Sequence, residues 1–233
     1  SKIKYFIENN LLNFDELIVL LDISDIPDEV YYQKEIQNQN TESLDLISRN
    51  LGVLLSKNFT TILFYNVVIE KIEYFKRNLE VRYQASKKFK KNFFNVKPTE
   101  INLYKSIVVK RGNWTHDDNF WNKYGLKGRK IANSNLSELL TLCKENNIKF
   151  SLVVYPWPSQ IYHEIDSNRH RLYWEDWSQH NKVDFYDLFK YFNNGNKIEV
   201  INKYFIEGDI HWNKTGHEYI AQIIYNEYFD KKL

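Results

Sequence analysis

The sequence contains no methionine, not even at position 1, where Ser1-Lys2-Ile3-Lys4 opens directly into a helical pattern. The chain is therefore expected to be a fragment or a processed product. A single cysteine, Cys143, excludes an internal disulfide and leaves the redox compartment open. Its place in Leu140-Thr141-Leu142-Cys143 reads as the apolar side of a helix rather than a reactive site. No apolar run of about eighteen residues occurs. The best candidate, Leu51 to Ile69, is interrupted by Lys57, Asn58 and Asn66, so no membrane span is expected, and no secretory signal is recognisable. A charge excess is missing too. Lys plus Arg number 32 against 30 Asp plus Glu, which excludes a strong field for nucleic acid or an acidic membrane surface.

What is present suits one α/β domain. The chain has 233 residues, 43% of them hydrophobic and 16% aromatic, enough to bury one sizeable core. Lys2 to Leu12 sets Ile3, Phe6, Ile7, Leu11 and Leu12 at helical spacing, and the apolar run Leu17 to Leu21 then reads as a buried strand. Ile131 to Asn147 repeats the unit, with Leu136, Leu139, Leu140 and Cys143 on one face and Asn133 or Ser134 as N-cap. The pair Asn146-Asn147 makes the turn into a strand over Ile148 to Tyr155. A third strand is expected at Val183 to Tyr186, and a final helix from about Thr215 to Tyr228. Strands alternating with helices imply a parallel sheet.

The rest is less regular. Leu44 to Glu80 reads as largely helical through Leu54, Leu55, Phe59, Ile62, Leu63, Val67, Ile69 and Ile72, while Tyr83 to Lys110 has no clear period. Residues 44–130 are accordingly expected to be a mainly helical insertion or elaboration of the single domain spanning 1–233. Lys87, Lys88, Lys90 and Lys91 stand near Phe89, Phe93 and Phe94; the reading preferred for them is a solvated helix face. His116, His163, His170 and His180 have no metal-ligand spacing.

The segment that carries chemistry is Gly208-Asp209-Ile210-His211-Trp212-Asn213-Lys214-Thr215-Gly216-His217, immediately before the final amphipathic helix. An imidazole activates a serine hydroxyl by taking its proton, and it needs a carboxylate to fix its tautomer and stabilise its charged form. His211 and Asp209 have the residue types for those roles. The bland alternative is that they are polar loop residues at a helix start. His217, inside the helix, reads as packing or as a hydrogen-bond partner of the loop.

The pattern His-x-Asn-x-x-Gly-His preceded by aspartate resembles the last block of the SGNH (GDSL-like) hydrolases, and its Asp-x-His-Trp form resembles the alginate acetyltransferase branch. The resemblance implies a three-layer, flavodoxin-like fold with a mainly parallel sheet. It also implies a Ser-His-Asp triad without metal or cofactor, acting on an ester, with O-acetyl on carbohydrate as the expected substrate.

Two further stretches fit it. Leu17 to Glu29 is a strand ending in Asp22-Ile23-Ser24-Asp25, in the place of the family's Gly-x-Asn-Asp oxyanion block, with Ser24 where asparagine usually stands. Asp25 suits a site role and a helix cap equally. Tyr155-Pro156-Trp157-Pro158-Ser159-Gln160 follows another strand, where Trp157 and Gln160, with Trp212, are candidates to face a sugar or acyl group; a purely structural strand exit fits as well.

The family's serine lies in an N-terminal Gly-Asp-Ser block, and this sequence has none. Ser24 and Ser159 lack the glycine-flanked turn of a nucleophile elbow. The serine and the first strand are therefore expected outside this chain, leaving the fragment inactive alone. The competing readings are a non-catalytic carbohydrate-binding or interaction module of the same fold, and a metal-dependent hydrolase using Asp209, His211 and Asp22 or Asp25, whose spacings match no familiar site.

Overall fold

A computed structural model describes residues 2–9, 11, 13–38, 60–163 and 167–229. The chain divides into two compact units, one built from residues 1–30 and 106–233 and the other from 31–105. The described elements run α1 (Lys2–Glu8), β1 (Glu16–Leu21), α2 (Asp25–Asn38), α3 (Thr60–Lys88), α4 (Pro98–Ile107), α5 (Leu126–Glu145), β2 (Lys149–Val154), α6 (Pro158–His163), α7 (Arg169–Asn181), β3 (Asp184–Asp187), α8 (Lys197–Tyr204) and α9 (Lys214–Ile224), with short 3-10 and π turns between.

The first unit is an α/β body around a small parallel sheet in the order β1-β2-β3. The register sets Leu21 opposite Val154 and Val154 opposite Asp187, so the three strands finish at one edge. Central β2 is buried along all but its first residue, as the run Phe150 to Val154 dictates when both faces are covered. Alternation sends Phe150 to one face, where its ring meets Trp177 of α7 at 6.5 Å. Tyr186 lies on the other face and meets Tyr228, beyond α9, at 5.2 Å. Among the described residues β1 pairs only with β2, and Leu20 on it is 44% exposed.

The helices of this unit bury periodic faces. Gly128, Ala132, Leu136, Leu140 and Cys143 are buried along α5, and Gly216, Ile220 and Ile223 along α9. Cys143 is thus a core residue. One boundary differs from the sequence expectation: α5 begins at Leu126, so Asn133 and Ser134 lie inside it and do not cap it. The π turn Trp121–Gly125 runs straight into the helix, and Asn133 donates instead to Tyr173 Oη. At the other end Asn147 takes φ 57° and turns the chain into β2, a left-handed conformation that asparagine tolerates.

The second unit is helical in its described part. Arg82 of α3 donates to the carbonyls of Phe93 (2.8 Å) and Phe94 (3.0 Å), and Lys91 pairs with Glu100 at the start of α4. Lys87, Lys88, Lys90 and Lys91 are exposed, the solvated face read from the sequence. The irregular stretch after Tyr83 resolves into the end of α3, a 3-10 turn and α4. The helical reading of residues 44–59 falls outside the described residues.

Candidate functional site

The segment Phe205 to Asn213 closes on itself. Ile206 N–H donates to His211 O (2.9 Å), Asn213 N–H donates to Tyr204 O (3.0 Å), and Phe205 forms a bridge with Trp212. Gly208 makes the turn at φ 77°. Asn213 is the N-cap of α9: its Oδ1 accepts from Gly216 N–H (2.9 Å), while its Nδ2 donates to Lys203 O (3.0 Å) and Phe205 O (3.1 Å). A Cβ on Gly216 would come within 2.1 Å of Tyr204 O, so this position requires glycine. The Asn-x-x-Gly part of the motif therefore holds the loop onto the helix.

Inside that loop Asp209 Oδ1 accepts from Ile210 N–H (2.6 Å) and His211 N–H (3.3 Å), and meets His211 Nδ1 at 2.7 Å. An ionised carboxylate only accepts, so Nδ1 carries the proton and the lone pair of the neutral ring sits on Nε2. What burial Asp209 has pushes its pKa up, but the hydrogen bonds from the His211 ring and the two backbone amides outweigh it and hold the carboxyl below its ordinary range. The imidazole is 73% exposed, open to a reactant.

The loop is fixed to the carboxyl edge of the sheet by aromatic packing. Trp212 lies 4.9 Å, ring to ring, from Tyr155 at the exit of β2, and it also meets His217 edge-on at 5.6 Å. Tyr155 Oη donates to Asp22 Oδ2 at the exit of β1 (2.5 Å), as does Trp157 Nε1 (3.0 Å). The other oxygen of Asp22 accepts from Ser24 N–H and Ser24 Oγ, both at 2.7 Å. Burial raises the pKa of Asp22, but these four donors more than offset it and keep the carboxyl below its ordinary range. Burial and the nearby Asp22 charge push the Tyr155 phenol up. The strand exits and the Asp209–His211 loop thus form one connected cluster.

Asp25, the first residue of α2, accepts from Asp22 N–H (2.8 Å), and burial together with Asp22, Asp28 and Glu29 pushes its carboxyl up to about 6. It lines a groove of about 960 Å³ along with Ile3 of α1 and Ala132, Asn135 and Leu136 of α5.

Three expectations change. Gln160 is fully buried and saturated: it donates to Gly112 O (3.1 Å) and Thr115 Oγ1 (3.0 Å), and its oxygen accepts from Trp157 N–H and Ser159 Oγ. It holds the turn rather than facing a ligand. Trp157 is 2% exposed, with its indole N–H on Asp22, so it positions the acidic turn from inside. Ser24 spends its hydroxyl and amide on Asp22. Neither Ser24 Oγ nor Ser159 Oγ is bonded to His211.

No family model, curated protein or solved structure matches this chain. Among the described residues no group of three or more His, Cys, Asp or Glu side chains is placed to hold a metal ion, and no helix is long and apolar enough to cross a membrane.

Sequence reasoning missed Tyr155, and it passed over Asp22 except as a possible metal ligand. It also missed His170, which lies fully buried beneath the exit of β1. Its Nε2 donates to Leu21 O (3.3 Å), and burial lowers its pKa to about 4, so the ring is neutral. Trp114 supports the same turn through Nε1 to Ile23 O (3.0 Å). Local spacing gives no signal for any of these contacts, which join segments 91 to 149 residues apart.

Proposed function

We propose that this chain supplies the histidine and aspartate of a serine esterase or O-acyltransferase of the SGNH type, with the nucleophilic serine on a segment outside the chain. The observation that carries the reading is the 2.7 Å contact of Asp209 Oδ1 with Nδ1 of an exposed imidazole. That contact leaves Nε2 available as general base, and the aromatic link to Tyr155 keeps it at the carboxyl edge of a parallel sheet, where α/β proteins build their sites. In the mechanism His211 takes the serine proton as the hydroxyl attacks the ester carbonyl, and Asp209 stabilises the imidazolium. The proton then passes to the leaving alcohol, and water or a sugar hydroxyl accepts the acyl group.

Among the described residues β1 pairs with β2 alone, which supports an external serine. In this reading a further strand, carrying Gly-Asp-Ser, pairs with β1 and completes the three-layer, flavodoxin-like sheet beside the groove that Asp25 lines. The acyl group is proposed to be acetyl and its carrier a carbohydrate. Trp212, which follows His211 in the chain, and Tyr155, which packs on it, are the candidate sugar platform in place of Trp157 and Gln160.

The test uses the intact protein with its Gly-Asp-Ser segment and a simple aryl acetate. His211→Ala should remove most of the activity, and Asp209→Asn should lower it by up to about four orders of magnitude if tautomer control matters as it does in serine proteases. An esterase rate unaffected by His211→Ala would move the assignment to a binding module that retains the pair as a relic.

A further inference from the structure

A second cluster at the same sheet edge has too many hydrogen-bond donors for the acceptors around it. α5 and α7 run back to β2 and β3, so their first turns lie at the edge where the strands end. Arg129 is in the first turn of α5 and Arg169 opens α7. Gly128 packs so closely on Ile26 O that a Cβ there would approach it to 1.9 Å. Trp121 stacks on Trp114, whose indole N–H holds Ile23 O. The cluster is therefore packed directly against the turn that follows β1.

The Arg129 guanidinium lies 4.6 Å from the Trp121 ring centre and 4.1 Å from that of Tyr173. Arg169 lies 5.3 Å from the same Trp121 ring. Arg129 has no hydrogen bond and no carboxylate partner among the described residues, and burial lowers its pKa. Arg169 bonds Asp118 through Nη2 while its Nη1 is buried without a partner. Asn168, the fully buried N-cap of α7, uses Oδ1 on His170 N–H and Arg171 N–H and leaves Nδ2 unpartnered. Arg171, in the same turn, pairs through Nη1 with Glu175 and Asp187. A guanidinium packed on aromatic rings retains its in-plane N–H fork, which matches a planar or tetrahedral oxyanion. Buried donors without acceptors are costly, so such a surplus persists where a ligand supplies the acceptors.

We propose that Arg129 and Arg169, held around Trp121, bind an oxyanion group, a carboxylate or a phosphate, of a ligand entering at the carboxyl edge of the sheet. The site stands without the ester chemistry; where that chemistry holds, it selects an anionic substrate.

The experiment is a titration of the 233-residue chain with sodium acetate, inorganic phosphate and sodium chloride at matched ionic strength, read by the NMR signals of the arginine side-chain N–H groups and the Trp121 indole. Saturable shifts of Arg129 and Trp121 with acetate or phosphate, absent with chloride, are expected, and the stronger of the two identifies the ligand class. Arg129→Gln should abolish saturation. Arg129→Lys, which retains charge and stem, should weaken binding about tenfold through loss of the fork. Both variants should retain the parent's amide spectrum elsewhere. Chloride shifts equal to those of both oxyanions, or saturation unchanged in a folded Arg129→Gln protein, would overturn the proposal. Neither result bears on whether His211 is a general base.

Discussion

Asp25 offers the sharpest test of the electrostatics at the strand exits. Its carboxyl is held above its ordinary value, at about 6, because burial and the Asp22, Asp28 and Glu29 charges disfavour ionisation more than the Asp22 N–H favours it. A carboxyl raised in the folded state retains its proton where the unfolded chain has lost it. Its contribution is therefore fully present below the unfolded pKa near 3.8, falls as pH rises toward 6, and stays lost above that. A shift of that size corresponds to about 3 kcal/mol, and screening by the water that reaches this half-buried group reduces the expected effect to about 1–2 kcal/mol. Asp25→Asn removes the charge and retains an oxygen to accept from Asp22 N–H, now 2.8 Å away. The variant should be about 1–2 kcal/mol more stable than the parent near pH 7, and indistinguishable from it near pH 4. Urea unfolding of both proteins across that range reads the difference directly, and subtraction removes the opposite trend from Asp22, whose contribution is lost only as pH falls through its lowered value. Equal destabilisation of Asp25→Asn at both pH values would refute the reasoning, because it would show that the carboxyl is held by geometry and not strained by charge.

Three other perturbations test the packing around the site. Gly128→Ala puts a methyl group 1.9 Å from Ile26 O, a backbone atom that cannot turn aside, and should cost more than about 3 kcal/mol or prevent folding, seen as a collapse of the thermal midpoint. Asn213→Ala removes the cap of α9 and leaves the Lys203 and Phe205 carbonyls without their donor, a loss of about 2–3 kcal/mol measurable by urea unfolding. Tyr155→Phe leaves the ring against Trp212 but takes one of four donors from Asp22; it should cost about 1.5 kcal/mol near neutral pH, and an unchanged midpoint would show that the 2.5 Å contact contributes nothing.

The sheet was legible because its strands are apolar runs ending in polar turns: Leu17 to Leu21, Ile148 to Tyr155 and Val183 to Tyr186 fall within a residue of β1, β2 and β3. Parallel pairing then brings every strand exit to one edge, so Asp22 and Tyr155 share it once the class is known. The start of α5 was not legible, since no side chain caps its first turn and the π turn Trp121–Gly125 enters the helix without a break. Burial of Trp157 and Gln160 was not legible either. A polar residue after a strand looks the same whether it meets solvent or, as here, the Gly112 carbonyl and the Thr115 hydroxyl from 45 or more residues away.

The Asp209–His211 segment separates the two kinds of information most clearly. Its internal geometry is local: Asp209 binds groups one and two residues on, and Asn213 caps the amide three residues on. Gly216 gives room to a carbonyl of the preceding helix. Such contacts leave a fixed spacing in the sequence, and a motif records that spacing. Where the loop sits depends on Trp212 meeting Tyr155, and on Tyr155 reaching Asp22 across 133 residues, which leaves no spacing to read. The motif therefore reports a histidine oriented by an aspartate, while the connection to the acidic turn is a property of the folded sheet. If the loop is a catalytic element, Trp212→Ala should leave the Asp209–His211 hydrogen bond intact, as a retained downfield Nδ1–H resonance, yet lower the activity of the intact protein as strongly as a loss of orientation does, about a hundredfold. A Trp212→Ala protein with full activity would mean that the loop orients its own imidazole and the link to the strand exits serves stability alone.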